Sequence, residues 1–372
     1  MKPRIDYLDS RFHLVVLPAS KNAKQPLSLH PETRNYHLPM KLIRFIKNWT
    51  LPLSMLTGAI AYFVYMNIPF LAPTKPFVNE FISIIQPTLI FLMLFITFCK
   101  VNPRDLHLTR MHLWLLLVQI GIFCLLGLPL VLFPDTEFRV VLEGAMICMI
   151  TPTATAAAVI TGKLGGNTQS LVSYTIIINM VSAIVIPLAL PMVHSNPSLS
   201  FFPSFLLILR RVFPLLMLPF VAACAVRAYL PKLHAKLISF KDLAFYLWAV
   251  ALAIAVGVTV RSIVHTDVAI TLLVGIAVAS LITCVVQFAI GQKIGLQYDD
   301  RIGGGQSLGQ KSTVFSIWLG ATFMSPVTSM AGGFYSIWHN VYNSYQLYQN
   351  RKENETDYKQ TKKDTSPACA AL

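Results

Sequence analysis

The sequence predicts an all-α polytopic membrane protein: ten transmembrane helices in two inverted five-helix repeats, with helices 4 and 9 discontinuous and crossing. Three observations lead there. The 372 residues are 55% hydrophobic and only 12% charged, with a mean hydropathy of +0.61, which is implausible for a soluble domain. The apolar residues gather into ten runs near the ~20-residue length that crosses a hydrocarbon core. Two of those runs break at matching places in the two halves, at Thr151-Pro152-Thr153-Ala154-Thr155 and at Gln306-Ser307-Leu308-Gly309-Gln310-Lys311-Ser312-Thr313.

The runs lie at 50–71, 78–99, 111–133, 139–162, 168–193, 204–230, 242–262, 266–291, 305–324 and 325–348. The ninth is the least apolar, because Gln306, Gln310 and Lys311 lie at its start, so nine spans is the competing count. Residues 1–40 read as a flexible N-terminal tail, basic and rich in turn formers, without the apolar core of a signal peptide. Met40, directly before a basic stretch, is an alternative start. Residues 41–200 form the first repeat, 201–348 the second, and 349–372 a polar C-terminal tail expected to be disordered.

The net charge of +14 raises nucleic acid as a partner, but the placement of the charge points to the lipid bilayer instead. With the amino terminus inside, 24 of the 30 Lys and Arg fall on the inner side: nine before residue 49, then Lys100, Arg104, Arg110, Lys163, Arg227, Lys232, Lys236, Lys241, Lys293, Arg301 and five in the C-terminal tail. Outside fall Lys75, Arg139, Arg210, Arg211 and Arg261, with Lys311 within a span. That asymmetry follows the positive-inside rule. It places both termini in the cytoplasm of a cell-membrane protein.

The six cysteines show no disulfide framework and no metal spacing. Cys99, Cys124, Cys148, Cys224 and Cys284 read as packing residues. Cys369-Ala370-Ala371-Leu372 fits a prenylation box in form, for which a polytopic protein has no need. Neither cofactor nor metal is expected.

The two breaks share an offset. Pro52 and Pro214, each near the start of a span, are 162 residues apart, and the same step carries Pro152 to position 314, directly after Ser312-Thr313. Five spans per half is odd, so the second half enters from the opposite side. That arrangement brings spans 4 and 9 face to face near the midplane, where paired broken helices mark the binding site of secondary transporters. Proline and glycine are common in membrane helices generally; two polar breaks at one offset go beyond that background.

The run from Glu143 through Thr151-Pro152-Thr153-Ala154-Thr155-Ala156 to Lys163-Leu164-Gly165-Gly166-Asn167 resembles the fourth span of the bile acid:sodium symporter superfamily. Gln306 to Thr313, Trp338-His339-Asn340, Gln119 and the pattern Phe95 to Asp105 are similar as well. The resemblance covers roughly residues 41–348. It implies a panel of spans 1, 2, 6 and 7, a core of spans 3–5 and 8–10, and organic anions as substrates. The departures concern sodium. Where sodium-coupled members carry Ser-Asn after the first break, this chain reads Ala157 and Ala158, and Glu-x-Gly-x-Gln-Asn has become Gln306-Ser307-Leu308-Gly309-Gln310-Lys311. The cation-site positions are thus Gln119, Ala157, Ala158, Gln306, Gln310 and Lys311. Substrate-binding candidates are Thr151, Thr153, Thr155, Gln306, Ser307, Gln310, Lys311, Ser312, Thr313, His339 and Asn340.

Lys311 is the sharpest of these. A lysine at the centre of a membrane helix costs about 2.5–3.5 kcal/mol on insertion scales and marks function by default. Its ammonium could stand where sodium binds in relatives, release its proton, or meet the substrate; the plain alternative is snorkelling to the headgroups. Glu143 is a possible gate or proton carrier, with an i,i+4 pair to Arg139 as the simpler role. Asn179, Ser182, His339, Asn340 and Asn343 read first as interhelical hydrogen-bonding groups. Gly303-Gly304-Gly305 to Lys311-Ser312-Thr313 imitates a phosphate loop, but Gln310 separates Gly309 from Lys311 and no soluble strand precedes it.

The expectation is therefore a sodium-independent secondary transporter of a small organic anion. The alternatives are a sodium-coupled symporter, a membrane sensor or receptor, and an intramembrane enzyme. The enzyme reading lacks any His-Glu-x-x-His or Gly-x-Ser-x-Gly motif.

Overall fold

The structure, a computed structural model, describes residues 37–102, 104, 106–194, 200–240, 243–265 and 268–364. The expectations for residues 1–36, Asp105 and the Cys369–Leu372 box lie outside them. The chain divides into compact units at Asn48 and Trp49, and the described part of the first unit is the opening of α1.

The helices are α1 His37–Asn67, α2 Lys75–Cys99, α3 Arg110–Leu132, α4 Arg139–Ile150, α5 Ala157–Leu164, α6 Thr168–Val193, α7 Phe201–Tyr229, α8 Pro231–Ser239, α9 Leu243–His265, α10 Ile270–Leu296, α11 Arg301–Gly309, α12 Thr313–Phe323 and α13 Pro326–Asp364; a 3₁₀ turn, Pro69–Thr74, leads into α2. Among the described residues six helical stretches are long and apolar enough to cross a membrane: Pro69–Cys99, Arg110–Leu132, Thr168–Val193, Phe201–Tyr229, Leu243–His265 and Ile270–Leu296. The chain is a multi-pass, all-α membrane protein. Only helices close their backbone hydrogen bonds within one segment, as hydrocarbon requires. Their outer faces are apolar too: Leu117 and Leu125 of α3 are 59% and 67% exposed, a surface that lipid solvates.

Boundaries follow local chemistry. Thr109 opens α3 with a capping box shared with His112. Gly165, at φ 83°, closes α5 in the left-handed region where a side chain would strain. Asn167 then caps α6 by accepting from Ser170 N at 3.0 Å. Asp300 caps α11 through Gly303 N at 2.9 Å.

Two elements depart from the hydropathy reading. The helix carrying the first run begins at His37 rather than near residue 50. The segment after 348, expected to be disordered, continues α13 as helix to Asp364. Residues 349–364 hold no Gly or Pro and are rich in Lys, Glu and Gln, and extending an existing helix avoids the nucleation cost. The amphipathic α8 was not foreseen.

Packing sorts the spans into two groups. α2 packs with α7 and α9, while α3, α4, α6, α10 and α13 surround the broken pairs α4/α5 and α11/α12. The groups touch most extensively along α6 and α7, and also where α12 meets α2 and α9 and where α9 meets α13. Within the second group α10 and α11 lie backbone to backbone, because Gly291 faces the Gly304 carbonyl and Gly304 faces that of Gly291. A Cβ at either position would collide with main chain. Gly304→Val is expected to destabilise the protein by at least the ~1–3 kcal/mol of an overpacked core, read as lost monodispersity after heating in detergent.

Candidate functional site

The site grows from a problem of hydrogen bonding. α4 stops at Ile150 because Pro152 has no N–H and pushes Thr151 into extended backbone, at φ −50° and ψ 131°. The last four carbonyls of a helix have no partner within it, and this end is buried, with Ile147, Ile150 and Thr151 all at 0% exposure. Each of those carbonyls is nevertheless matched. Thr151 N and Oγ1 donate to Ile147 O at 3.1 and 2.6 Å. Gln287 Nε2 reaches Cys148 O at 3.4 Å, and Lys311 Nζ reaches Met149 O at 3.1 Å. Ser182 Oγ donates to Ile150 O at 3.0 Å. Gln119 Nε2 lies 3.3 Å from both Ile150 O and Thr151 O.

The second break is treated alike. α11 ends at Gly309, whose carbonyl accepts from Tyr335 OH at 2.7 Å. Ser307 O accepts from Thr153 Oγ1 at 2.7 Å. The extended segments then pair with each other: Ala154 N donates to Gln310 O at 2.8 Å and Ser312 N to Pro152 O at 2.9 Å. Thr153 and Lys311 thus form an antiparallel bridge, a non-hydrogen-bonded pair set between these two flanking bonds. The two breaks cross, and they hold each other's backbone.

Electrostatics favours a cation at that crossing. The C-terminal ends of α4 and α11 each carry roughly half a negative charge, and both converge on Lys311, which is 1% exposed. Among the described residues no carboxylate lies within ion-pair distance of it. Its Nζ donates to the carbonyl of Met149 at the end of α4. On the other side, α5 and α12 begin directly after the crossing, so their N-terminal ends, which favour anions, flank a gap lined by Ala154, Thr155, Ser312 and Thr313. Ile90, Met93 and Leu94 of α2 and Trp248 of α9 close that gap, leaving a cavity of ≈ 10 Å³.

The substrate candidates therefore divide. Thr151 and Thr153 spend their hydroxyls on backbone carbonyls. Thr155, Ser312 and Thr313 face the gap. Gln306 turns the other way, donating to Asn343 Oδ1 and Gln346 Oε1 at 2.9 Å each. Gln346 borders a polar cavity of ≈ 760 Å³ between the ends of α5, α10 and α13. His339 stands edge-on to Tyr335, with ring centres 5.6 Å apart. Several buried polar atoms here have no partner: Gln306 Oε1, Ser307 Oγ, Gln310 Oε1, both His339 ring nitrogens and Asn340 Oδ1. Of the cation-site positions, Ala157 is fully buried and Ala158 partly so, in the first turn of α5.

Glu143 belongs to a separate cluster. Arg139 Nε, His194 Nδ1 and Thr328 Oγ1 lie 2.9, 3.3 and 2.9 Å from its carboxylate, tying α4 to the ends of α6 and α13. Eight residues of helix, about 12 Å, separate it from the break.

Gln287, Tyr174, Tyr335 and Gln346 escaped the sequence reading. The signal was present: Gln119 accepts from Tyr174 OH at 2.8 Å, Gln287 donates to Tyr335 OH at 3.0 Å, and the two tyrosines are 161 residues apart, close to the proline offset. No family model matches the chain, and no curated protein is significantly similar to it.

Two expectations follow. Cysteines at Ala154 and Ser312, in a background without native thiols, should be joined by a short bifunctional reagent, seen as a mobility shift; no product at this or neighbouring pairs would mean that the breaks do not meet. Tyr335→Phe removes the donor to buried Gly309 O and should cost about 1–3 kcal/mol, measured by thermal unfolding in detergent.

Proposed function

We propose that this protein is a secondary transporter of a small organic anion, with a core of α3–α6 and α10–α13 moving against a panel of α1, α2, α7 and α9. The observation that carries this reading is the meeting of two broken helices at a buried lysine. Transporter sites near the bilayer midplane are built from such half-helix ends, N-termini toward anionic groups and C-termini toward the coupling cation. Here the C-terminal ends hold Lys311 and the N-terminal ends of α5 and α12 flank the gap against α2 and α9. In the proposed cycle the panel withdraws and the substrate's anionic group enters between Thr155, Ser312 and Thr313. The recurrence of the Gln–Tyr pair in both halves supports two inverted five-helix repeats, with both termini in the cytoplasm of a cell membrane. Likeness to the bile acid:sodium symporter superfamily supports the same architecture.

Lys311 supplies the positive charge that a coupling cation supplies elsewhere, so transport proceeds without sodium. A second reading, sodium symport, is favoured by one observation: Gln306 Oε1, Ser307 Oγ and Gln310 Oε1 are buried oxygens without partners, and sodium binds oxygens.

The test is uptake of pooled anionic metabolites into proteoliposomes at zero and saturating sodium, with ionic strength held by choline. Equal uptake is expected. Lys311→Ala removes the partner of Met149 O and should cost about 1–3 kcal/mol, the penalty of an unmatched buried carbonyl, with uptake abolished. A saturable sodium dependence would replace this reading with the symporter. A Lys311→Ala variant that folds and transports normally would remove the lysine from the mechanism.

A further inference from the structure

A further space lies among α1, α2 and α9, away from the crossing. It is a cleft of ≈ 600 Å³ to which no residue of α3–α6 or α10–α13 contributes. Each helix gives it one face at helical spacing. α1 contributes Ala61, Tyr62 and Tyr65, α2 contributes Lys75, Asn79 and Ile82, and α9 contributes Gly257, Arg261 and His265.

The cleft is polarised along its length. At one end are Lys75, the first residue of α2, and His265, the last of α9, with Arg261 one turn further in. Arg261 donates to Asn79 Oδ1, one turn along α2 from Lys75, and Tyr62 OH meets His265 Nδ1 at 2.9 Å. Among the described residues no acidic side chain lines it. The rest of the wall is apolar, and the far end is shut where Gly58 lets α1 press on the Ala253 carbonyl; a Cβ there would collide with it. From Ala253 to His265 the cleft follows about 18 Å of helix, close to one leaflet of a ~30 Å hydrocarbon core. Cations at headgroup depth above an apolar slot one leaflet deep are complementary to an acidic amphiphile.

We propose that this cleft is a binding site for one anionic membrane phospholipid, with its phosphate between Lys75 and Arg261 and an acyl chain between α1 and α9. A soluble anion would gain the two cations but leave the apolar wall unmatched. A zwitterionic lipid would fill the slot but bring its own cation to Lys75 and Arg261. The site is independent of the transport reading, since it shares no residue with the crossing.

The full chain, reconstituted in nanodiscs of equal phosphatidylcholine and phosphatidylglycerol and then extracted in mild detergent, is analysed by native mass spectrometry for retained lipid. The wild type should retain phosphatidylglycerol over phosphatidylcholine by about thirtyfold, the scale of two cations at a headgroup. Lys75→Gln with Arg261→Gln should bring the ratio to parity. Ala61→Phe, which fills the slot and leaves the charges, should lower retention of both lipids; size-exclusion profiles establish that each variant is folded. Parity in the wild type overturns the proposal, as does a preference unchanged in the double variant. Displacement of the retained lipid by glycerophosphoglycerol, the same head without chains, as readily as by phosphatidylglycerol would make this a soluble-anion site and overturn the lipid assignment.

Discussion

Four consecutive carbonyls, from Cys148 to Thr151, govern this molecule. A helix that stops inside a membrane leaves its last carbonyls unbonded, and hydrocarbon offers them nothing. Their partners come from α3, α6, α10 and the segment after α11, through Gln119, Ser182, Gln287 and Lys311. Each of those elements is thereby fixed against α4. An unmatched buried carbonyl costs ~1–3 kcal/mol, so the ring of donors explains why polar residues persist in spans that are otherwise apolar.

The same arrangement explains how a lysine can be buried without a carboxylate. Two helix C-termini aimed at one point supply about one unit of negative partial charge, and Lys311 Nζ donates directly to Met149 O. Bridge, dipoles and lysine form one unit, whereas Glu143 with Arg139, His194 and Thr328 is a second, separate polar knot further along α4.

The small gap at the crossing and the large cleft among α1, α2 and α9 differ in kind. The first is polar on one side and closed by Ile90, Met93, Leu94 and Trp248, all on α2 and α9. Motion of those helices away from the crossing would open it without disturbing the donors that hold α4. The second is bounded by α1, α2 and α9 alone among the described residues. This division places the rigid hydrogen-bonded part and the adaptable apolar part in different groups of helices.

By itself the sequence determined the membrane class, since composition and run length decide whether a chain can be solvated by water or lipid. It also located both breaks: Pro152 lacks the N–H that a helix needs, and the polar stretch 306–313 contains the second break, which the structure narrows to Gln310–Ser312 because α11 stays helical through Gly309. The Arg139–Glu143 pair was legible too, as a local i,i+4 spacing. Tertiary structure decided the rest. That Thr151 and Thr153 are consumed by carbonyls, that Gln306 turns toward Asn343, and that Gln287, Tyr174 and Tyr335 join the site all depend on which helix faces which. Periodicity could not supply that, because spans that are apolar on every side carry no signal of facing direction. Helical continuation of α13 past residue 348 escaped for a related reason: hydropathy reports where a chain leaves the membrane, and a helix need not end there.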